Sequence, residues 1–166
     1  IGYKTFEVLK EKSDSPSTDL EVNNSKIENA YYVIEWDEEG LTSLYSKKLD
    51  REMLSGKGNA LKLLNEKAGS STSWSLNLTG DQTTLKSMVA PRIIQKSPIR
   101  VTLEWQDRTR SSKFIRTMTV KAHSSKIDFG MEVDWHENNK LLRTTFPVNV
   151  DNGQAFYEQP YGYIQR

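Results

Sequence analysis

The alternation of residues 127–136 constrains the fold more than any other feature of the sequence. Its apolar positions are Ile127, Phe129, Met131, Val133 and Trp135, and polar or small residues stand between them. Successive side chains of a β-strand point to opposite faces, so this period of two predicts a strand with one buried and one solvated face. The same period recurs over residues 99–105 and 114–122. Several half-buried strands predict an all-β fold, namely an antiparallel β-sandwich.

Three further segments predict strands. Residues 31–36 are rich in aromatic and β-branched side chains, and the turn residues 37–40 separate them from Leu41–Tyr45, which predicts a hairpin. Residues 146–150 alternate around Pro147, and proline lacks the N–H of a central ladder, so this strand is expected at an edge or a bulge. Residues 74–78 predict a short strand that ends at a turn formed by Gly80 and Asp81.

Little helix is expected. Residues 59–67 (NALKLLNEK) contain good helix formers and an asparagine that could cap them, but they provide only about two turns. A strand followed by a loop is the alternative interpretation of the same residues.

The chain of 166 residues has the length of one ordinary domain. Residues 13–24 are polar and contain proline, so we interpret residues 1–24 as a segment from a preceding region followed by a linker. Residues 25–166 are predicted to form the β-sandwich domain. The first residue is not methionine and residues 162–166 resemble a strand without a polar tail, so we expect the chain to be a piece of a longer protein.

Charge and composition limit the partners and the compartment. Lys and Arg number 23 and Asp and Glu 22, so the net charge of +1 offers no broad field for nucleic acid or for an acidic membrane, and neither is expected as a partner. Cysteine is absent, which excludes disulfides and thiol chemistry and favours a cytoplasmic location. No stretch has the apolar length of a membrane span. A homo-oligomer is left open.

The acidic and histidine side chains are the candidate chemical groups of this chain. Asp128, Glu132 and Asp134 share one face of the strongest strand, and paired carboxylates are what glycoside hydrolysis requires, but a half-solvated sheet produces this pattern as well. His123 and His136 lie thirteen positions apart without a cysteine, which is a poor metal-ligand set. We therefore predict no catalytic residue, metal site or cofactor in this chain.

Two basic segments have structural interpretations. Residues 56–59 (GKGN) lack the remainder of a phosphate-binding loop and predict a simple turn. Arg108, Arg110, Lys113 and Arg116 form a basic run between two predicted strands, which we interpret as a solvated hairpin loop balanced by nearby acidic residues.

Several stretches, in order along the chain, resemble the C-terminal region of the family 38 glycoside hydrolases, the α-mannosidases. Residues 27–52 include Gly40-Leu41-Thr42-Ser43-Leu44-Tyr45, which is similar to the family's GxLxSLYDKK stretch, with Ser46 where the family often has Asp. Further similar stretches are residues 59–61, 127–129, 133–137, 140–143 and 146–148. The last, residues 157–166 (YEQPYGYIQR), resembles the family's YExPYGxIxR. The order and spacing of these stretches carry the resemblance.

The resemblance implies a fold, an activity and a division of labour. The fold is a galactose-mutarotase-like supersandwich, and the parent enzyme cleaves α-mannosides or oligosaccharides with retention, using an Asp nucleophile and a divalent metal, usually zinc. In the family these groups lie in an N-terminal catalytic domain of the same polypeptide, which this chain does not contain. The chain alone is therefore expected to support that domain and to be inactive.

One aromatic residue is implied near the substrate. In some family members a loop of this region approaches the substrate through an aromatic side chain, and Trp74 is the nearest match, although its surroundings depart from the common WDAWD form. A buried core tryptophan is the alternative interpretation of Trp74.

Two other functions remain as hypotheses. An independent carbohydrate-binding module would use tryptophans as sugar-stacking platforms, and the four tryptophans are Trp36, Trp74, Trp105 and Trp135. A stand-alone mutarotase-like enzyme would need an acid/base pair, for which the two histidines on dissimilar segments are poorly suited.

Overall fold

The structure, a computed structural model, describes residues 2–7, 14–69, 74–151 and 153–166. Regular structure within these residues consists of antiparallel β-strands, and none of them forms a helix. Accordingly, the described part of the chain contains no helix that could cross a membrane. The strands are β1 (Glu21–Val22), β2 (Lys26–Glu28), β3 (Tyr32–Trp36), β4 (Leu41–Ser46), β5 (Arg51–Glu52), β6 (Ala60–Glu66), β7 (Leu78–Thr84), β8 (Arg92–Lys96), β9 (Arg100–Arg108), β10 (Lys113–Lys121), β11 (Ile127–Asp134), β12 (Lys140–Thr145), β13 (Phe156–Gln159) and β14 (Gly162–Gln165).

These strands form four sheets. Their orders are β1-β2-β3-β4-β5, β11-β10-β9-β8, β12-β6-β7 and β13-β14. The predicted hairpin of residues 31–45 is confirmed as β3 and β4, and the three segments of strongest alternation are confirmed as β9, β10 and β11.

The core lies between the two largest sheets. Ile27, Ile34 and Leu41 of the first sheet pack with residues of the second such as Leu103 and Met118, and all five are buried. Burying a side chain of this size stabilises the fold by roughly 1.5–3 kcal/mol. The prediction of an antiparallel β-sandwich is confirmed, while the galactose-mutarotase-like supersandwich stays a prediction.

Residues 60–66 form strand β6, so of the two interpretations of residues 59–67 the strand is confirmed and the helix is wrong. Strand β6 pairs with β12 on one side and with β7 on the other, so its backbone groups are satisfied by neighbours that are distant in sequence. Leu61, Leu63 and Leu64 are buried there, and Leu61 packs with Leu85 and Phe114 in a second apolar cluster. Tertiary pairing outweighs the helix propensity of these residues.

The predicted turn at Gly80 and Asp81 is wrong, because both residues lie inside β7. The pairing of β7 with β6 shifts in register between Leu64 and Glu66, and Gly80 has a φ of +94° at this irregularity. Glycine adopts such a positive φ without the steric cost that a side chain imposes. The strand predicted over residues 74–78 forms only at its end, at Leu78.

The edge strand predicted over residues 146–150 is wrong as a regular strand. Val148 makes one isolated antiparallel bridge with Leu54, and the Ser55 N–H donates to the Pro147 carbonyl. The segment therefore runs beside residues 53–55 without extending a sheet.

The segment that we interpret as a linker contains ordered structure. Strand β1 (Glu21–Val22) pairs with β2, and the Asp19 carboxylate accepts hydrogen bonds from the backbone N–H groups of Ala30 and His123, each at 2.8 Å. Residues 1 and 8–13 of the predicted segment 1–24 lie outside the described residues. The domain boundary between residues 24 and 25 stays a prediction.

Candidate functional site

Asp128 is the most strongly perturbed carboxylate of β11. Its oxygens lie 2.8 Å from Lys121 Nζ and 2.7 Å from Lys126 Nζ. Hydrogen bonds from Lys121 and Lys126 lower the pKa of Asp128 from 3.8 to about 2. A general acid needs a pKa near the working pH, so Asp128 is unsuited to that role.

The other two acidic residues of β11 do not complete a carboxylate pair with Asp128. Asp134 Oδ1 lies 2.8 Å from His136 Nε2 at an exposed position. Glu132 is exposed, and no ion pair is found for it among the described residues. The face is a solvated sheet surface, as the structural interpretation of its alternation predicts.

The two histidines lie on different segments with separate partners. His123 has a φ of +54° in the turn between β10 and β11, and its ring contacts the Ser17 carbonyl at 3.3 Å. His136 follows β11 and pairs with Asp134. Among the described residues no group of three His, Cys, Asp or Glu side chains is placed to hold a metal ion.

Arg116 is the largest departure from the sequence-based expectation. We interpret the basic run 108–116 as a solvated loop, but only residues 109–112 connect β9 to β10, and Arg116 lies inside β10 with no exposed surface. Its Nε and Nη2 donate to the Asp107 carboxylate at 2.7 and 2.8 Å. The signal in the sequence is the period of two, because Arg116 stands two residues from both Phe114 and Met118 and therefore points to the same buried face.

The Arg116 guanidinium also fixes two connections of the sandwich. Its Nη1 donates to the backbone carbonyls of Glu39, at 3.2 Å, and of Asn59. The guanidinium lies 5.3 Å from the ring of Trp105, whose Nε1 donates to the Asp37 carbonyl at 2.8 Å. These bonds satisfy the buried charge and hold the β3–β4 turn against the second sheet.

The β3–β4 turn carries a surface ion cluster. Lys57 pairs with Asp37 and lies 3.4 Å from Glu39, which also pairs with Lys86 at 2.9 Å. The hydrogen bond from Lys86 is the main reason that the pKa of Glu39 is lowered. The charge of Lys57 is thus compensated within the protein. Residues 56–59 form a turn, as predicted, and Gly58 bridges to Leu41.

Trp74 lies on the surface of the described chain rather than in its core. It is 93% exposed in the connection between β6 and β7, and the Lys67 N–H donates to the Asn77 carbonyl at 2.8 Å, which closes this loop at its base. Trp36 and Trp105 are buried by contrast. An indole presented in this way can stack on a sugar ring or pack against another domain.

The hairpin of β13 and β14 presents a second aromatic surface. It forms a two-stranded sheet by itself, and its aromatic residues Phe156, Tyr157, Tyr161 and Tyr163 are all exposed. Phe156 and Tyr163 stack edge to face with ring centroids 5.6 Å apart. An isolated hairpin is marginally stable in water, and exposed aromatic patches are typical of interaction surfaces.

Comparison with known proteins identifies the group to which these features belong. The sequence profile described as "Glycosyl hydrolases family 38 C-terminal domain" matches residues 27–166. Alpha-mannosidase G of Dictyostelium discoideum is 25% identical over 172 aligned residues, which cover 95% of this chain and 16% of that protein. Alpha-mannosidase 2C1 of Homo sapiens is 45% identical over 56 residues, which cover 34% of this chain and 5% of that protein.

A third relative is also an alpha-mannosidase by name. The alpha-mannosidase of Saccharomyces cerevisiae is 29% identical over 85 residues, which cover 49% of this chain and 8% of that protein. The chain thus spans 16% or less of the length of these three relatives.

Proposed function

Since this chain belongs to the family of glycosyl hydrolase family 38 C-terminal domains, we propose that it is the supporting β-sandwich domain of an α-mannosidase. The longer protein hydrolyses α-mannosides or oligosaccharides with retention. An N-terminal catalytic domain of the same polypeptide supplies the Asp nucleophile and the ligands of a divalent metal, for which zinc is the expected ion. The chain alone is inactive, and the enzyme is cytoplasmic.

The observation that carries this proposal is the family match over residues 27–166, together with relatives that are alpha-mannosidases by name. The geometry of β11 supports the division of labour. Its one strongly perturbed carboxylate, Asp128, is held ionised by two lysines. The acid and base of the reaction are therefore expected outside this chain.

The β13–β14 hairpin supports a role in domain packing. Its exposed aromatic side chains would bury a large apolar area against a neighbouring domain, which would also stabilise the hairpin itself. We assign this hairpin to the interface with the catalytic domain.

Trp74 is proposed to lie at the rim of the active site. Its exposed indole, on a loop closed at its base, is available to stack on a mannose residue of the substrate. In this role Trp74 positions the substrate and takes no part in bond cleavage.

Activity measurements test the proposal. We expect the full-length protein to release the chromophore from an aryl α-mannoside and to lose that activity with a chelator, and we expect this chain alone to be inert. A well-folded full-length protein without α-mannosidase activity would contradict the proposed function. Activity in the isolated chain would contradict the division of labour.

An independent carbohydrate-binding module is the second candidate, and the exposure of Trp74 is the observation that favours it. Such a module would change its tryptophan fluorescence on titration with mannose or mannobiose, and Trp74→Phe would remove most of that change. No change in fluorescence or in the amide spectrum up to millimolar sugar would exclude the module.

A further inference from the structure

The apolar face of β11 continues the core of the sandwich but is only partly covered. Cross-strand partners in an antiparallel pair point to the same side of the sheet. Phe129 lies opposite Met118, and Val133 lies opposite Phe114. Met118 and Phe114 are buried, whereas Phe129 is 41% and Val133 46% exposed. The Phe129 ring packs edge to face on Phe146 with centroids 5.0 Å apart, yet a large part of both β11 side chains still faces solvent.

The partly covered face of β11 ends at a free strand edge. β11 stands at the end of its sheet, and β10 is its only strand neighbour among the described residues. Its pairing with β10 runs from Lys113 and Asp134 to Val120 and Ile127 without a shift in register. Proteins usually shield a long edge strand with a bulge, a proline or an inward-pointing charge. β11 has neither a proline nor a break in its pairing.

The charges on the polar face of β11 argue against a second copy of this chain as the strand that pairs with its free edge. In an antiparallel pair of two β11 strands with their apolar faces aligned, the two registers of greatest overlap place Asp128 opposite Glu132 or opposite Asp134. Like charges directly opposite destabilise a strand pair. Lys121 and Lys126 already compensate Asp128, whereas no ion pair is found for Glu132 in the described part of the chain.

We propose that a further β-strand of the same, longer polypeptide pairs with the free edge of β11. This strand carries apolar side chains on the core side and a lysine or arginine opposite Glu132. Because the apolar face of β11 continues the core, a strand that covers it would belong to the same fold. The relatives extend far beyond the matched region, so the longer polypeptide has the length to supply such a strand. The inference rests on the proposed function only in placing the chain within a longer protein.

Hydrogen exchange of the full-length protein tests this pairing. Alternate amides of an edge strand point away from its one neighbour and exchange fast. Pairing with an added strand should slow these amides in residues 127–134 by about 100-fold relative to an unpaired edge. Fast exchange of alternate amides of β11 in the full-length protein would overturn the proposal. Protection that depends on protein concentration would indicate a second copy and would overturn it as well.

A charge reversal tests the chemistry of the added strand. Glu132→Lys in the full-length protein should speed exchange across β11 about threefold to tenfold, because it places a cation opposite a cation. Glu38→Lys is the matched control, since Glu38 is an exposed carboxylate in the β3–β4 turn, and it should leave β11 unchanged. Equal effects of the two substitutions would refute a basic partner.

The two proposals fail separately. An active α-mannosidase with a fast-exchanging β11 edge would refute only the added strand. An inert protein with a protected edge would refute only the proposed function.

Discussion

Arg116 and Asp107 form a bidentate ion pair inside the sandwich, at 2.7 and 2.8 Å, with neither side chain exposed. Cross-strand pairing places Arg116 opposite Trp105, so that Asp107 lies two residues along β9 on the same face. A charged pair at this depth is retained only when its bonds are complete, and here the carbonyls of Glu39 and Asn59 complete them.

Removal of Arg116 should be strongly destabilising. Arg116→Met leaves the Asp107 carboxylate unpaired in the core, and the expected loss in the free energy of unfolding is about 3–5 kcal/mol. Urea unfolding followed by tryptophan fluorescence measures it. Arg92→Met is the control, because its ion pair with Glu104 is exposed on the arginine side and should be worth less than about 1 kcal/mol. Similar losses for both variants would contradict the role of burial.

Gly40 should not tolerate a side chain. A Cβ at this position would collide with the backbone carbonyl of Gly58, where β4 bridges to the 56–59 turn. We expect Gly40→Ala to lower the free energy of unfolding by about 2 kcal/mol, because backbone must move to relieve the overlap. Gly153→Ala, where a Cβ would meet open space, should change it by less than about 0.5 kcal/mol. Equal thermal stability of the two variants would show that the turn adapts.

The carboxyl group of Asp128 should titrate unusually low. Its pKa is lowered to about 2 in the folded protein, so the stabilisation from its two lysines is full above the usual pKa of 3.8. This stabilisation is lost as the pH falls from about 4 to about 2. A carbon-detected NMR titration measures the pKa of Asp128. Lys126→Met should raise it, whereas Lys96→Met, at an exposed position of β8, should not. A pKa near 3.8 in the unaltered protein would contradict the ion pairs.

Trp74 should affect turnover without affecting stability. In the full-length enzyme, Trp74→Ala is expected to lower kcat/KM for an oligomannoside about threefold to tenfold, which corresponds to a stacking contribution of about 0.5–1.5 kcal/mol. The melting temperature should stay within about 1 °C, since the indole is exposed. Leu76→Ala, in the same loop, is the control and should leave kcat/KM unchanged. Unchanged kcat/KM for Trp74→Ala would show that Trp74 does not lie at the rim of the active site.

Strands with strict alternation could be located from the sequence, and the partners that cover them could not. The period of residues 127–135 correctly places a strand with its apolar side chains on one face. It also predicts that this face is buried, yet Phe129, Met131 and Val133 are partly exposed. Burial depends on whether another sheet extends over the strand, and no local pattern encodes the extent of a distant sheet.

Local signals failed where tertiary pairing or burial decided the outcome. Helix formers in residues 60–66 became a central strand because β12 and β7 supply hydrogen bonds on both sides. Arg116 belongs by composition to a solvated basic run, but its position in β10 points it into the core, where Asp107 compensates its charge. Trp74 shows the converse, since its apolar side chain lies on the surface of the described chain.

The all-β class, the antiparallel hairpins and the membership in a family of glycosyl hydrolase C-terminal domains could be predicted from the sequence, because side-chain parity, turn residues and ordered motifs are local properties of a chain. Which faces are covered, which charges are buried and which aromatic side chains stay exposed became visible in the folded chain alone. Those outcomes depend on contacts between residues far apart in sequence, such as the bond from Arg116 to the Asn59 carbonyl, and on the absence of a described strand beyond β11.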